Sequence, residues 1–473
     1  MEMEMDEVMA GRAFEDEEDD HKREGTVWTA TAHVITAVIG SGVLALGWSV
    51  AQLGWMMGPL TVVAFAWVTY YTANLLSDCH RSPHPTTGHR NHTYIDAVRA
   101  CLGPQKVLIC GVAQYSNLVG TLIGYTITSA ISMMAIKRSD CFHENGHNSR
   151  CGVSGNLYVA LFGVLEVILS QLPSLEKISW LSILAAIMSF AYSFIGLGLS
   201  IAMVICHGDI RGTLFGVKVG INDIPLTART WNAFQALGNI AFAYTYALVL
   251  IEIQDTLKSS PPENKAMKRA SLYGIGITAI FYFSIGSAGY AAFGNDAPGN
   301  MLTGFGFYEP FWLIDIANLF IVIHLVGAYQ VFSQPVFAAW EMYLSSKWSQ
   351  NSIVHSTYNV KLPLVPSTSF NFTLSKLISR TLLVIIVTLV AMTFPFFNAV
   401  NGLIGAIAFW PLQVYFPTTM YISQMKVKKG TQKWIFLKTL SVCCFFVSLI
   451  AVVGSVAGIV DSLKHATPFQ TMY

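Results

Sequence analysis

Charged residues are scarce in this chain of 473 residues, at 12% of the total, where a typical soluble protein has about 25%. Hydrophobic residues make up 53%, and apolar runs recur from Trp28 to Ile459, each of about the 20 residues needed to cross a bilayer. The composition therefore excludes an ordinary soluble domain and predicts a polytopic membrane protein in a lipid bilayer. The net charge of +1 gives no indication of a nucleic-acid partner, and we expect none.

Motifs of several function classes are also missing. No Gly-rich loop is followed by Lys and Ser or Thr, so nothing supports ATP-driven pumping. No Cys/His group has metal-site spacing, and the Thr-Val-Gly-Tyr-Gly filter sequence of potassium channels does not occur. We therefore expect neither an enzyme nor a protein that depends on a metal or a cofactor.

The N-terminus lacks the basic and then apolar pattern of a secretory signal peptide. It is acidic instead, with an unbroken acidic run from Glu15 to Asp20. We predict that residues 1–26 form a disordered, solvated cytosolic tail. Whether such a tail has a regulatory role or none is left open by its composition.

Eleven membrane-spanning helices are predicted from the apolar runs, so the chain is expected to be an all-α membrane protein. The predicted spans are 27–52, 56–79, 106–136, 156–173, 179–206, 230–256, 269–293, 309–344, 374–394, 398–422 and 433–459. Lys and Arg are concentrated in alternate loops, which places the N-terminus in the cytosol. Because the number of spans is odd, the C-terminal tail, residues 460–473, is predicted to be extracellular.

Two cysteines, Cys141 and Cys151, flank a polar loop between spans three and four. A disulfide there requires an oxidising compartment, and the charge bias independently places this loop outside. We therefore expect the two cysteines to be paired. The glycosylation sequons at Asn91 and Asn371 fall on the cytosolic side and should carry no sugar.

Span one has a weak point at Gly40-Ser41-Gly42, since Gly costs about 1 kcal/mol relative to Ala in a helix interior. Within a bilayer, non-helical backbone is tolerated only where it lines a protein cavity or water. A break here would present carbonyl groups from the first half-helix and N–H groups from the second, which suit the ammonium and carboxylate groups of one ligand. The alternative is a packing surface, because small residues let membrane helices approach closely.

Span six has the same character, with Gly238 and small polar residues in its middle and an apolar second half that ends at Asp255. Interrupted helices at corresponding positions of two halves are typical of inverted-repeat transporters. This pattern favours the binding-site interpretation of span one. It predicts a five-plus-five inverted-repeat core over residues 27–422, with broken helices one and six and with the helix 433–459 as an addition.

Ionisable residues within spans are candidates for function. His33 precedes the break in span one, and Asp315 and His324 lie in span eight. Histidine changes charge near neutral pH, so these three are the candidates for proton coupling, although each histidine is also able to serve as a plain interhelical hydrogen-bonding group. For Glu166 in span four a structural role is expected.

Six motifs past the acidic tail are specific, and the resemblance that they carry extends over nearly the whole chain. They are Trp28–His33, Val38–Leu44, Ala51–Trp55, Phe242–Tyr244, Ile251–Thr256 and Gly289–Gly294. They resemble the plant amino acid permeases, a group of the amino acid/auxin permease family within the amino acid–polyamine–organocation superfamily. The resemblance implies proton-coupled uptake of amino acids across the plasma membrane.

The resemblance also implies a substrate site. Carried over residue by residue, it falls on Ile39, Gly40, Ser41 and Gly42 in span one and on Phe242, Ala243 and Tyr244 in span six. We expect the substrate carboxylate to bind N–H groups from Ser41 to Val43, and the ammonium to bind carbonyls of residues 37–39 and of Asn239 to Ala243. Asn117 in span three is expected either to face this cavity or to bond a neighbouring helix.

The partners expected are therefore an amino acid, a proton and lipid, with the chain acting as a monomer. Alternatives within the same class are an auxin-type carrier and a sodium-coupled amino acid carrier. Alternatives from other classes are an amino acid-sensing membrane receptor and a channel. Saturation of the flux and accumulation against a gradient distinguish a carrier from both of the latter.

Overall fold

The structure is a computed structural model that describes residues 23–171, 179–220, 224–305, 310–348, 357–361 and 369–465. Most of the predicted acidic tail, residues 1–26, and much of the predicted C-terminal tail, residues 460–473, lie outside these ranges. The cytosolic, disordered and extracellular character of these tails therefore stays a prediction.

Helices dominate the described residues. They are α1 (Val27–Val38), α2 (Leu46–Ser77), α3 (Tyr94–Leu102), α4 (Pro104–Asn145), α5 (Gly155–Ser170), α6 (Ser179–His207), α7 (Leu226–Tyr244), α8 (Ala247–Asp255), α9 (Glu263–Phe293), α10 (Phe311–Lys347), α11 (Leu374–Thr393), α12 (Phe397–Ala408), α13 (Phe416–Gln424) and α14 (Gln432–His465). A 3₁₀ turn, Ser41–Ala45, joins α1 to α2, and a π-helical stretch, Phe409–Tyr415, joins α12 to α13. Two further 3₁₀ turns cover Gly294–Asp296 and Met301–Gly304.

The strands form two short antiparallel pairs. β1 (Arg81–Ser82) pairs with β2 (His89–Arg90), and β3 (Thr357–Lys361) pairs with β4 (Ser369–Thr373). Both pairs lie in connections between helices, as the all-α prediction allows.

Within the described residues, nine helical stretches are long and apolar enough to cross a membrane. One of them, residues 41–77, contains Gly54 at φ 78° and ψ 175°, where two helices meet at a kink. This kink is the boundary predicted between spans one and two. Two shorter apolar helices, α1 and α5, lie where spans one and four were predicted. The all-α membrane fold is confirmed, whereas the count of eleven spans stays a prediction.

Local sequence explains where several helices begin and end. Thr26 caps α1 because its side chain accepts a hydrogen bond from the Thr29 N–H, and Thr93 caps α3 in the same way through Asp96. Gly103 separates α3 from α4 at φ 82°, a conformation that favours glycine. Pro104 then occupies the first turn of α4, where its missing N–H has no cost.

The two interrupted helices lie at the centre of the packing. α9 packs along α2 and also contacts α1, while α7 contacts α2, α12 and α14. A second group forms around α10, which packs against α4 and α6 and also contacts α5 and α11. The breaks in spans one and six therefore lie in the first group, and α4 and α10 of the second group come to face them.

Candidate functional site

The break in span one falls at the predicted glycines. α1 ends at Val38, Ile39 has φ −79° and ψ 89°, and Gly40 is fully extended at φ −126° and ψ −154°. The chain resumes as a 3₁₀ turn at Ser41, whose first N–H groups have no preceding turn to supply acceptors. The Ser41 hydroxyl is buried without a hydrogen-bond partner among the described residues. The free N–H groups at the start of this turn and the Ser41 hydroxyl therefore lie together at the break.

The break in span six falls between α7 and α8. Thr245 has φ −82° and ψ 98°, and Tyr246 has φ −132° and ψ −1°. The free N–H groups at the start of α8 are satisfied from another helix, because the Gln413 Oε1 accepts from Tyr246 N at 3.3 Å and from Ala247 N at 3.0 Å. Gln413 lies in the π-helical stretch, and its Nε2 donates to the Thr72 hydroxyl of α2.

The two breaks are in direct contact. A Cβ atom built on Gly42 would lie 3.0 Å from the Ala243 Cα and 3.2 Å from a ring carbon of Phe242. Only a residue without a side chain allows the two interrupted segments to approach this closely. The Tyr282 hydroxyl of α9 donates to the Val38 carbonyl and also lies near the Ala243 carbonyl, so a third helix holds both ends together.

A cavity of about 30 Å³ lies between the breaks, roughly the volume of one water molecule in the liquid. It is lined by Ala37, Val38, Gly40, Ser41, Gly42, Asn117, Thr121, Tyr125, Phe242, Ala243, Thr245 and Phe332. Phe242 and Phe332 are the two largest apolar side chains that line it.

The predicted substrate residues divide into two groups. Gly40, Ser41, Gly42, Asn117, Phe242 and Ala243 line the cavity. Ile39, Val43, Asn239 and Tyr244 are buried near it without lining it. The Tyr244 ring packs edge-on against Tyr282, 5.2 Å between centroids, and its hydroxyl has no partner among the described residues.

Four lining residues escaped the sequence reasoning: Thr121, Tyr125, Thr245 and Phe332. Tyr125 follows Asn117 and Thr121 at intervals of four, the spacing that puts residues on one face of a helix. From that spacing, Tyr125 could have been predicted to lie on the same face as Asn117. Phe332 contacts Tyr125 edge-on, 5.6 Å between centroids, and no pattern in α10 distinguishes it from its apolar neighbours.

The family model described as transmembrane amino acid transporter protein matches residues 23–461. Amino acid permease 6 of Arabidopsis thaliana is 56% identical over 457 residues, covering 96% of this chain and 94% of that protein. Amino acid permease 1 of the same plant is 54% identical over 458 residues, covering 97% of this chain and 94% of that protein.

The chain belongs to the transmembrane amino acid transporter family. The resemblance to the plant amino acid permeases is thereby confirmed. Among solved structures, the crystal structure of MhsT in complex with L-phenylalanine matches with a TM-score of 0.51 at 10% sequence identity, covering 90% of this chain and 98% of that chain. At this identity the likeness shows the fold alone, which is that of an all-α membrane transporter.

The three proton-coupling candidates do not meet in this family member. His33 is exposed on α1, away from the cavity. Asp315 lies near the start of α10 and is only partly buried. His324 is buried, and its Nδ1 lies 2.7 Å from the Ala185 carbonyl of α6. Because a carbonyl only accepts, the Nδ1 carries a hydrogen, and the Nε2 has no partner among the described residues.

One end of the bundle is open. A cavity of about 710 Å³ lies among the start of α7, the start of α12 and the end of α14, within the range of about 300–1,000 Å³ that is usual for ligand pockets. Trp48, just past the break in span one, and Gln235, about two and a half turns before the break in span six, both line it. We call this cavity the vestibule.

The opposite end is closed by the segment before α1, residues 23–26, which we call the N-terminal clamp. The Gly25 N–H donates to the Thr256 carbonyl, and the Lys258 N–H donates to the Gly25 carbonyl. The Arg23 Nε donates to the Asp255 carbonyl, and its Nη2 lies 3.6 Å from the Asp255 Oδ1. The clamp therefore ties the start of span one to the end of span six.

Two histidines complete the clamp at Asp255. The His80 Nε2 lies 3.4 Å from the Asp255 Oδ1, and the His92 Nδ1 lies 3.0 Å from the Oδ2. Burial lowers the pKa of His80 below its usual value, although the hydrogen bond to Asp255 opposes this shift. His80 is therefore held mainly in its neutral form while the clamp is closed.

Proposed function

We propose that this chain is a proton-coupled symporter that imports amino acids across the plasma membrane by alternating access. Membership of the family supports amino acid transport across a membrane. The observation that carries the site proposal is the meeting of two helix breaks at one small cavity, where the Ser41 hydroxyl has no partner among the described residues. Breaks of this kind present opposite partial charges to a zwitterion.

In the proposed complex the substrate carboxylate accepts from the N–H groups around Ser41, Gly42 and Val43, at the positive end of the second half-helix. The ammonium group donates to carbonyls at the end of α1 and along residues 239–243. Phe242 closes over the side chain together with Phe332, and Ile39, Asn239 and Tyr244 support these segments from behind. Without such partners the desolvation of both charges would prevent binding.

The closed clamp and the open vestibule support an outward-facing arrangement, given a cytosolic N-terminus. In the transport cycle the substrate enters from the vestibule, and the site closes over it. The clamp then opens to release it to the cytosol. The bundle of α1, α2, α7, α8 and α9 rocks against the group around α10 in this cycle.

The proposed domain organisation is a transport core over residues 27–422 and an added helix over residues 433–459. The N-terminal tail is then cytosolic and the C-terminal tail extracellular. We propose a monomer as the transporting unit, because both breaks and the cavity between them belong to one chain. The buried His324, whose Nε2 has no partner among the described residues, supports a proton as the driving ion in preference to sodium.

Electrophysiology of the whole chain in oocytes tests this proposal across a panel of amino acids at several pH values. The expected result is a saturable inward current that grows as the outside becomes more acidic, in sodium-free medium. A current that requires sodium would support the sodium-coupled alternative. Flux that does not saturate would support a channel, and binding without flux would support a receptor.

A further inference from the structure

A carboxyl group lies deep between α5 and α10, outside the lining of the cavity between the two breaks. Glu166 is completely buried, and its Oε2 accepts a hydrogen bond of 2.6 Å from the Gln330 Nε2. Gln330 is itself completely buried. The partner of this acid is thus a neutral amide rather than a cation.

Three polar atoms at this point lack a partner among the described residues. They are the Glu166 Oε1, the Gln330 Oε1 and the Tyr329 hydroxyl. The Glu166 Oε1 and the Gln330 Oε1 both accept hydrogen bonds, and neither has a donor among the described residues. Burying two such acceptors is unfavourable, because each has lost its hydrogen bonds to water. A single hydrogen on the Glu166 Oε1 removes the problem, since a carboxylic acid and a primary amide form two mutual hydrogen bonds.

Within the described residues, the charged side chains of the helices packed around α5 do not compensate the charge of an ionised Glu166. α5 packs against α4, α10 and α11. The charged residues of α4 lie toward its two ends, at Lys106 and beyond Ile136. Those of α11 are already engaged, because the Arg380 Nη1 donates to the Ser170 carbonyl and the Arg380 Nε donates to Glu341 of α10. Lys376 also lies 3.4 Å from Glu341.

A buried carboxylate without a cation is costly, and intramembrane acids are typical elements of proton pathways. We propose that Glu166 and Gln330 form the site that binds the coupled proton. This inference rests on the proton coupling proposed above. A proton from hydronium adds to the Glu166 Oε1, water is released, and the new O–H donates to the Gln330 Oε1. On the cytosolic side the proton returns to water and the carboxylate re-forms.

The position of Gln330 connects this site to the substrate. Phe332, which lines the substrate cavity, follows Gln330 by two residues on α10, about 3 Å along the axis. Tyr329 packs edge-on against Phe162 of α5, 5.8 Å between centroids. Gain or loss of the acid–amide pair therefore changes how α10 sits against α5, and with it the position of Phe332.

The experiment uses the purified full-length chain in liposomes and compares wild type with Glu166→Gln. Wild type should accumulate substrate about tenfold across a pH gradient of one unit, if one proton moves with each substrate and no potential is applied. Glu166→Gln keeps an amide partner for Gln330 but has no group to protonate. It should lose this accumulation and its pH dependence, while substrate counterflow without a gradient persists.

Three further variants sharpen the result. Glu144→Gln removes an exposed acid at the end of α4 and should behave as wild type. Accumulation that survives in Glu166→Gln overturns the inference and leaves proton coupling standing, and so does its selective loss in His324→Ala or Asp315→Asn. Joint loss of counterflow and accumulation in Glu166→Gln also overturns it, in favour of a structural role. If wild type does not accumulate substrate, the proposed coupling fails and this inference fails with it.

Discussion

The Tyr282 hydroxyl donates a hydrogen bond of 2.5 Å to the carbonyl oxygen of Val38, the last residue of α1. It also lies 3.3 Å from the Ala243 carbonyl, near the end of α7. Carbonyls at the end of a helix have no intrahelical donor, and Tyr282 is completely buried. One side chain of α9 thus fixes the end of both half-helices that border the cavity.

Replacing Tyr282 by Phe keeps the ring and removes this donor. A buried carbonyl without a partner costs about 1–3 kcal/mol, so the break should be less well positioned and KM for amino acid uptake should rise roughly tenfold. Uptake kinetics at matched surface expression measure this effect. Tyr273→Phe is the control, since Tyr273 lies on the same helix but is 42% exposed. Equal KM values in the two variants would contradict the role of Tyr282.

Gly42 should tolerate no side chain. A Cβ atom there meets the Ala243 Cα at 3.0 Å, and overpacking costs about 1–3 kcal/mol. Gly42→Ala should therefore reduce uptake, and Gly42→Leu should abolish it with surface expression intact. Gly276→Ala is the control, because no atom lies within 4 Å of a Cβ at that position. Normal uptake by Gly42→Leu would show that the substrate site is not at this break.

Much of the fold can be predicted from sequence, because a helix that crosses lipid needs a long apolar run that is easy to recognise. Unbroken apolar runs predict helices, and glycines within them predict breaks, as at Gly40 and Gly42. The same reasoning places the break in span six a few residues early, since Gly238 lies within regular α7 and the chain leaves the helix after Tyr244. Gly238 is required by packing instead, because a Cβ there would lie 2.3 Å from the Gly402 carbonyl oxygen.

The site was harder to predict than the fold. Asn117 was accessible because a polar residue in an apolar run is unusual, whereas Phe242 was implied by the resemblance to the plant amino acid permeases. Phe332 was not accessible, because its role depends on which face of α10 meets α4. The contacts of Gln413 and Asp255 join residues far apart in sequence, and periodicity carries no information on such pairs.

Gln413 should matter for stability because it caps α8 from a different helix. Gln413→Leu leaves the N–H groups of Tyr246 and Ala247 without their acceptor, at about 1–3 kcal/mol each. The apparent melting temperature of the purified chain should fall. Gln413→Glu is the matched variant, since it keeps the acceptor oxygen and adds negative charge at the positive end of a helix. If the two variants melt alike, the cap is unimportant.

Acid should loosen the N-terminal clamp through His80. While the clamp is closed, burial keeps the pKa of His80 low, and on opening it returns toward about 6.5. The open state then binds more protons, so the clamp loses stability as the pH falls below about 6.5. Hydrogen exchange of residues 25–30, corrected for intrinsic rates, should show less protection in that range.

The control for this pH effect is His80→Gln, which keeps a polar side chain but does not titrate. Its protection should change less with pH than that of wild type. Arg23→Ala should weaken protection at every pH, because it removes a hydrogen bond and an ion pair to Asp255. Identical pH dependence in wild type and His80→Gln would show that another group controls the clamp.

Chemical labelling of the Cys141–Cys151 loop tests the orientation of the whole chain. The two cysteines form a disulfide in the structure, with 5.8 Å between their Cα atoms, and Asn91 on the predicted cytosolic side is buried with its Nδ2 donating to the Cys79 carbonyl. On intact cells, a membrane-impermeant maleimide should label Cys141 and Cys151 only after reduction, and a Cys141→Ser/Cys151→Ser variant should lack this signal.

Asn91 should carry no glycan, since a sugar on Nδ2 would require loss of a buried hydrogen bond. Labelling only after permeabilisation, or sugar on Asn91, would reverse the proposed orientation and with it the assignment of the vestibule to the outside.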